Sequence, residues 1–378
     1  MGEGSNKRDD RKDCILISLI SVIVLLGVLI FIHELGHFLA ARIGGVGVVK
    51  FSLGFGPKIF GKKIGETEYV LSWIPLGGFV KLFGESENES LSPEDERRSF
   101  LKQPTWKKML IVLAGPVFNF LLALVIFVII FMYGVPNLTT EIGEVQKQSA
   151  AYNAGLISGD KIISIDGKTI KNWEDLRPVI AAGNGKETEI IVERQAEKKH
   201  FLVKPMEAKS KNVFGEEIST YLIGVSPSGK TVIERKNPWE ATIAAGEKTW
   251  EISKLTILAL VKMVEGTISP RTLGGPIFIA QVAGAQVKEG IIPFILFMAL
   301  LSINLGVINL FPIPVLDGGH IMFYAIEMVL RREISIKVKE LAQQIGFAIL
   351  AMLMIFVIMI DIERMNLPII SDIFKYFK

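Results

Sequence analysis

The sequence has few of the residues on which several large protein classes depend. It contains a single cysteine, Cys14, among 378 residues, which excludes an intramolecular disulfide framework and a cysteine-based metal cluster. Its 42 basic and 39 acidic residues leave a net charge of +3, which is too small to indicate nucleic-acid binding. Only 21% of the residues are charged and 50% are hydrophobic, which is not the balance of a wholly soluble protein.

The hydrophobic residues are concentrated in four long runs without charge. A helix rises about 1.5 Å per residue, so about 20 apolar residues cross the ~30 Å hydrocarbon core of a bilayer. We therefore predict an α-helical polytopic membrane protein with about four transmembrane helices. No small-residue cleavage site follows the first run, so a cleaved signal sequence is not favoured. The runs are Cys14–Ile32, Met109–Gly134, Ile291–Leu316 and Leu341–Ile360.

The segments between these runs differ in character. Gly44–Gly84 combines β-branched and aromatic residues with glycine turns, which predicts β-hairpins associated with the membrane. Thr139–Glu207 alternates short β-prone runs with a helix that Asn172 is expected to cap, which indicates a small soluble α/β domain. Trp239–Val264 is interpreted as an amphipathic surface helix, and Leu273–Val287 as a re-entrant or interfacial segment.

An even number of spans places both termini on one side of the membrane. The lysines and arginines near the span ends slightly favour the loops after spans 1 and 3 inside, although this difference alone does not settle the orientation. The predicted organisation is an N-terminal tail (1–13), transmembrane helix 1 (14–43), a β-hairpin region (44–84), a cytoplasmic loop (85–108), transmembrane helix 2 (109–134), a soluble domain (139–207), amphipathic and re-entrant connecting segments (208–290), transmembrane helix 3 (291–318), a cytoplasmic loop (319–340), transmembrane helix 4 (341–361) and a C-terminal tail (362–378).

An H-E-x-x-H pattern closes the first hydrophobic run. His33 and His37 are four residues apart, so on a helix both imidazoles share one face and can bind one zinc ion. Glu34 lies between them, where a carboxylate can act on a water molecule as a base. Polar residues at such a depth usually mark function, because their transfer into the membrane costs free energy. The alternative is that these polar residues have no catalytic role and lie at a helix end in the membrane interface.

Two histidines leave a catalytic zinc site one protein ligand short. Asp317 closes the third hydrophobic run, and spans 1 and 3 cross the membrane in the same direction, so Asp317 is expected near the same face as His33. Pro312 and Pro314 should break the helix just before Asp317 and turn its carboxylate toward span 1. His320 is the rival ligand, and a solvated carboxylate at a helix end is the alternative interpretation.

Together the two motifs resemble the site-2 protease family of intramembrane zinc metalloproteases, in the regulator-of-sigma-E protease branch. The resemblance rests on H-E-x-x-H and on Asn309–Gly318, which reads N-L-F-P-I-P-V-L-D-G. Further segments of the chain resemble the same branch. These are Phe51–Pro57, Ala114–Asn119, Leu273–Ile277 and Ser302–Gly306.

The resemblance implies that His33, His37 and Asp317 bind one zinc ion and that Glu34 is the catalytic base. It implies that Asn309 contacts the substrate backbone. Asn119 and Asn304 are further candidates for substrate binding, and interhelical hydrogen bonding is the alternative for both.

The stretch Ala154–Gly167 resembles a bacterial PDZ domain, and the inserted domain has room for one clear copy. A PDZ domain binds a peptide or a free C-terminus, and the family suggests that it screens substrates. The resemblance also implies a multi-pass protein of the bacterial cytoplasmic membrane. Its active site is expected near the cytoplasmic face, and its PDZ domain on the external or periplasmic side.

The expected function is cleavage of single-span membrane proteins within their transmembrane segments, with anti-sigma factors or remnant signal peptides as substrates. A substrate helix hides its carbonyls in backbone hydrogen bonds, so we expect it to unwind and to pair with an edge of the hairpins. The alternative is a zinc-binding transporter or sensor without peptidase activity, since intramembrane histidine and aspartate also line ion paths. A membrane scaffold that has lost catalysis is disfavoured by the complete set of metal-binding residues.

Overall fold

The chain forms two compact units, each of which gathers segments from separate parts of the sequence. The computed structural model describes residues 3–85, 93–212 and 214–365. Parts of the expected segments lie outside the described residues: 1–2 of the N-terminal tail, 86–92 of the first cytoplasmic loop and 366–378 of the C-terminal tail. The helical unit comprises Met1–Val128, Thr242–Val261 and Ser269–Lys378, whereas the inserted unit comprises Ile129–Ala241 and Lys262–Ile268.

Helices dominate the helical unit. In chain order the helices of the described residues are α1 (Glu3–Ile43), α2 (Pro93–Glu96), α3 (Thr105–Tyr133), α4 (Ala150–Asn153), α5 (Leu176–Ala182), α6 (Pro238–Val264), α7 (Pro276–Glu289), α8 (Ile291–Asn309), α9 (Asp317–Leu330) and α10 (Ile336–Arg364).

Four of these helices contain segments long and apolar enough to cross a membrane: Ile15–Ile43, Thr105–Tyr133, Ile291–Asn309 and Ile336–Arg364. Each overlaps one of the four spans predicted from the hydrophobic runs. The prediction of a polytopic membrane protein is therefore confirmed. The helix expected over Trp239–Val264 is α6, and the segment expected at Leu273–Val287 contains α7.

The third span differs from its expected extent of 291–318. Helix α8 ends at Asn309, and a non-helical segment with Pro312 and Pro314 precedes α9. Proline lacks the N–H that continues a helix, which explains the break in the place where the prolines predict it. The expected loop at 319–340 is also partly helical, because α9 covers Asp317–Leu330.

The twelve strands of the described residues fall into five sheets. They are β1 (Val48–Ile64), β2 (Thr67–Leu82), β3 (Val135–Leu138), β4 (Ile142–Val145), β5 (Lys161–Ile165), β6 (Lys168–Thr169), β7 (Thr188–Arg194), β8 (Glu197–Val203), β9 (Met206–Lys211), β10 (Glu217–Leu222), β11 (Val225–Pro227) and β12 (Thr231–Glu234).

The expected hairpin region is a single bent hairpin of β1 and β2. Its middle doubles back, so that residues 50–53 pair on one side with 68–71 and on the other with 78–81. No other strand of the described residues pairs with 78–80, which leaves that backbone edge open. Phe51 is buried and packs edge-on against Phe31 and Phe38 of α1, at ring-centroid distances of 5.9 and 5.4 Å. The hairpin therefore lies directly on the helix that carries H-E-x-x-H.

The inserted unit is built on the four-stranded sheet β6-β5-β7-β8. Its core includes fully buried Ile142, Ile165 and Ile190. Asn172 caps a 3-10 turn at Trp173–Asp175 through a capping box, and α5 follows directly. The cap and the helix thus occur where the sequence predicts them.

The inserted unit extends beyond the soluble domain expected at 139–207. Strand β11 pairs antiparallel with β4, and β12 pairs with β3. The chain from 208 to 234, expected to be part of a connecting segment, therefore completes this unit through strand pairing. The remaining connection to α6 is short, because β12 ends at Glu234 and α6 begins at Pro238.

Candidate metal centre

Helix α1 places the two histidines of H-E-x-x-H against each other. Their Nε2 atoms are 3.2 Å apart and their rings meet edge-on with centroids 4.8 Å apart. His33 is 9% exposed and so belongs to the interior of the helical unit, although it lies in an otherwise apolar helix. The four-residue spacing is what brings both rings to one face.

Asp317 reaches the two histidines from the first residue of α9. Its Oδ2 atom lies 3.2 Å from Nε2 of His33 and 3.6 Å from Nε2 of His37. A sharp return of the chain makes this approach possible. A Cβ atom at Gly318 would lie 2.3 Å from the carbonyl oxygens of Leu310 and Phe311, so this position requires glycine.

The three ligand atoms form a site that suits a divalent cation. Nδ1 of His37 lies 2.9 Å from the carbonyl oxygen of Ile111, so that nitrogen carries the hydrogen and Nε2 presents a lone pair. Oδ2 of Asp317 is buried without a hydrogen-bond partner. The ligand atoms of His33, His37 and Asp317 lie within 4.8 Å of one another. Two imidazoles and one carboxylate are a typical ligand set for catalytic zinc.

Helix α3 supports the histidines by an unusually close approach to α1. A Cβ atom at Gly36 would lie 2.4 Å from the carbonyl oxygen of Ala114, and one at Gly115 would lie 2.3 Å from Nε2 of His37. The absence of side chains at both positions therefore makes room for the imidazoles. Sequence reasoning identified Ala114–Asn119 as a family motif but assigned no role to Gly115.

Glu34 lies beside the hairpin as well as on the histidine helix. A Cβ atom at Gly78 would lie 2.9 Å from Cγ of Glu34. Gly78 belongs to the open edge formed by residues 78–80, so this edge is next to the carboxylate.

The other candidate residues are not part of the three-residue metal group. His320, the rival ligand, lies on α9 outside this group. His200 is an exposed residue of β8 whose Nδ1 lies 2.8 Å from Glu189, as expected for a surface histidine.

The three candidate asparagines lie in different surroundings. Asn309 is the last residue of α8, and Asn304 accepts a hydrogen bond of 2.8 Å from Thr256. Asn119 is fully buried, with its amide nitrogen 3.0 Å from Nδ1 of His33.

The chain is similar to a protein family and to individual proteins over most of its length. The model of peptidase family M50 matches residues 21–353. A Rhizobium meliloti protein with the provisional name of zinc metalloprotease is 36% identical over 353 residues, which cover 90% of this chain and 94% of the relative. Protease RseP of Yersinia pestis is 32% identical, and the regulator of sigma-E protease RseP of Salmonella typhimurium is 31% identical. Each of these alignments covers 93% of this chain and 99% of the relative.

These similarities confirm the family predicted from the motifs, and they do not favour a transporter or sensor. Zinc is the metal named for the relatives, in agreement with the donor set of the three-residue group. The chain belongs to peptidase family M50, the site-2 protease family, and is an intramembrane zinc metalloprotease of the regulator-of-sigma-E branch in the inner membrane.

Proposed function

We propose that His33, His37 and Asp317 hold the zinc ion and that Glu34 is the catalytic base. The observation that carries this proposal is the convergence of three lone-pair atoms from α1 and α9 in a buried site. Three acceptors at these separations repel one another unless a cation lies among them. His33 and Asp317 are 284 positions apart in the chain, so the sequence motifs by themselves suggest their meeting but give no distance.

The chemistry divides between the metal and the chain. Zinc, when bound, polarises a carbonyl group and lowers the pKa of water. Glu34 takes the proton of the attacking water and later gives it to the leaving amine, so the peptide bond is exchanged for a carboxylate and an amine. His33, His37 and Asp317 keep their positions throughout, because α1 and α9 hold them.

Recognition of the substrate requires an exposed peptide backbone. We propose that the cleaved segment unwinds and pairs in extended form with the open edge at residues 78–80. The proximity of Gly78 to Glu34 supports this site, because a strand added there brings its carbonyls to the base. Asn309 is proposed to hold backbone groups of the same segment, since its side chain can both donate and accept.

The substrates are proposed to be single-span membrane proteins, with anti-sigma factors or remnant signal peptides among them. The names of the Salmonella and Yersinia relatives support a role in regulated intramembrane proteolysis. The active site is proposed to lie near the cytoplasmic face and the inserted unit on the periplasmic side, which agrees with the small excess of basic residues in the loops after spans 1 and 3.

The inserted unit is proposed to contain a PDZ domain. In the PDZ-like stretch Ala154–Gly167, the carboxylate of Asp160 is fully buried and accepts hydrogen bonds from Arg194 and from the N–H of Ile157. This network gives the Gly-Asp pair of that stretch a structural role. Strand β11 pairs only with β4 among the described residues, so its other edge is available for a peptide.

Replacement of Glu34 tests the catalytic proposal. Glu34→Gln keeps the size of the side chain but removes the base, so we expect cleavage of a membrane-inserted reporter to fall by about 10²–10⁴-fold. Zinc content, measured on the purified protein by metal analysis, should stay at the parent value. Asp317→Asn is the matched comparison and should lower zinc content as well as cleavage. Parent-level cleavage by Glu34→Gln would refute the assignment of the base.

A further inference from the structure

Asn119 occupies an unusual place for a residue expected to bind substrate. It is 0% exposed and lies in α3, with its Nδ2 atom 3.0 Å from Nδ1 of His33. Its Oδ1 atom is buried without a hydrogen-bond partner. A buried polar side chain in such a position is retained at a cost in stability unless it makes a specific bond. Within the described part of the chain, the residue that the Asn119 carboxamide reaches by a hydrogen-bond contact is His33, a member of the three-residue metal group.

The hydrogen on His33 determines which atom of Asn119 must face it. Nε2 of His33 points toward Nε2 of His37 and toward Asp317, so it is the ligand atom and presents a lone pair. A neutral imidazole then carries its hydrogen on Nδ1. His37 has the same arrangement, because its Nδ1 donates to the carbonyl oxygen of Ile111. An N–H of His33 cannot form a hydrogen bond with the NH₂ group of Asn119.

We propose that the carboxamide of Asn119 is turned by 180°, so that Oδ1 accepts the hydrogen of Nδ1 of His33. The oxygen and nitrogen of a carboxamide have nearly the same shape, and either orientation fits the same space. In the orientation with Nδ2 toward His33, Oδ1 lacks a partner. The tautomer of His33 decides between the two orientations, because a ring that binds metal through Nε2 carries its hydrogen on Nδ1. Asn119 is thus a positioning residue for a zinc ligand, and the inference rests on the proposed ligation by His33.

The spacing within α3 gives Asn119 this position. It lies four residues after Gly115, on the same face of the helix that meets the imidazoles. Ser302 of α8 donates a hydrogen bond of 2.7 Å to the backbone oxygen of Asn119, which fixes the helix at this residue. Gly115 therefore admits the two rings, and Asn119 holds one of them in the orientation that the metal needs.

Zinc affinity of the full-length protein, measured by competition with a chromophoric chelator, tests this role. Partners that orient ligating histidines typically contribute 10–100-fold to metal affinity, so we expect Asn119→Leu to weaken zinc binding by about that factor. Asn119→Asp should bind zinc as tightly as the parent or more tightly, because a carboxylate accepts the same hydrogen bond. Asn304→Leu removes an asparagine that contacts Thr256 instead, and it should leave affinity unchanged.

The outcomes separate this inference from the proposed function. Parent-like affinity in Asn119→Leu, or equal weakening in Asn119→Asp and Asn119→Leu, would overturn the positioning role, since a purely structural residue would not be rescued by a carboxylate. His33→Ala tests the ligand itself and should lose zinc. If His33→Ala retained parent affinity, the proposed ligand set would fail independently. If Asn119→Leu does not fold, the comparison of Asn119→Asp with the parent still tests the positioning role. An aspartate buried at this position should keep parent-like zinc affinity only if it accepts a hydrogen bond from His33.

Discussion

At the scale of single residues, the metal site depends on side chains that are absent as much as on those that bind. Gly36 and Gly115 let α3 approach α1 closely enough for Ile111 and Asn119 to reach the two imidazoles. A methyl group at Gly36 would meet the backbone of Ala114, and one at Gly115 would meet the imidazole of His37, so either the helices would separate or the ring would shift. The close approach is therefore a requirement of the site.

Substitution of Gly115 by alanine should impair zinc binding and cleavage together. Its Cβ would lie 2.3 Å from Nε2 of His37, so the imidazole must shift. A displacement of about 1 Å commonly costs about 10²-fold in rate, which we expect for cleavage of a membrane-inserted reporter. Gly27→Ala is the control in α1, because its Cβ would meet nothing within 4 Å. Equal activity of Gly115→Ala and Gly27→Ala would contradict the steric argument.

The sequence predicts the meeting of His33, His37 and Asp317 better than it predicts the residues that pack around them. The four-residue spacing of His33 and His37 and the topology of two odd-numbered spans are local or countable features, so they could be interpreted without coordinates. The contact of His37 with the carbonyl oxygen of Ile111 involves a backbone atom, which no residue type signals. Asn119 was recognised as part of a motif, but its partner depends on the packing of α3 against α1.

At the scale of elements, prediction succeeds where a pattern is local. Strands β4 and β5 coincide with two short β-prone runs of the sequence, and the capped helix begins after Asn172 as expected. A loop was expected at 319–340, whereas α9 covers Asp317–Leu330 despite the low helix propensity of Gly318 and Gly319. Packing overrides that preference, since Phe323 and Tyr324 are buried.

Strands β9 and β10 were missed for a different reason. They cover Met206–Lys211 and Glu217–Leu222, which are mostly polar and, apart from buried Thr220, half or fully exposed. Such a pair lacks the buried face that produces an alternating pattern of hydrophobic residues. Their pairing with each other is visible only in the structure.

The open edge of the hairpin should be sensitive to loss of a backbone donor. Successive N–H groups of a strand point to opposite edges, so one of Phe79 and Val80 donates outward. If the substrate pairs there, one of Phe79→Pro and Val80→Pro should reduce cleavage by up to about tenfold while zinc content is unchanged, because one hydrogen bond contributes at most about 1.5 kcal/mol. Phe79→Leu and Val80→Leu keep the N–H and are the matched controls. Full activity of both proline variants, with zinc bound, would exclude strand addition at this edge.

At the scale of the whole molecule, one strand pair of the inserted unit flanks most of that unit in the sequence. Strands β3 and β12 pair at its base, with Leu138 opposite Thr231, and the N–H of Thr139 donates to the carbonyl oxygen of Lys230 at 2.9 Å. The sequence predicted the domain only to residue 207, so a deletion designed from it would cut the pairing of β4 with β11. Removal of residues 140–229 instead leaves both strands of the β3–β12 pair in place.

Replacement of residues 140–229 by an Asn-Gly turn should therefore retain the β3–β12 hairpin, because Asn-Gly favours a two-residue antiparallel connection. If the PDZ-like unit screens substrates by their outer domain, the variant should cleave substrates that still carry a large outer domain, which the parent leaves intact. Cleavage of a substrate already lacking that domain is the control and should stay within a few-fold of the parent, with equal zinc content. A uniform loss of activity toward both substrates would instead mean that the unit supports the fold, because removal of a filter can only widen the range of substrates.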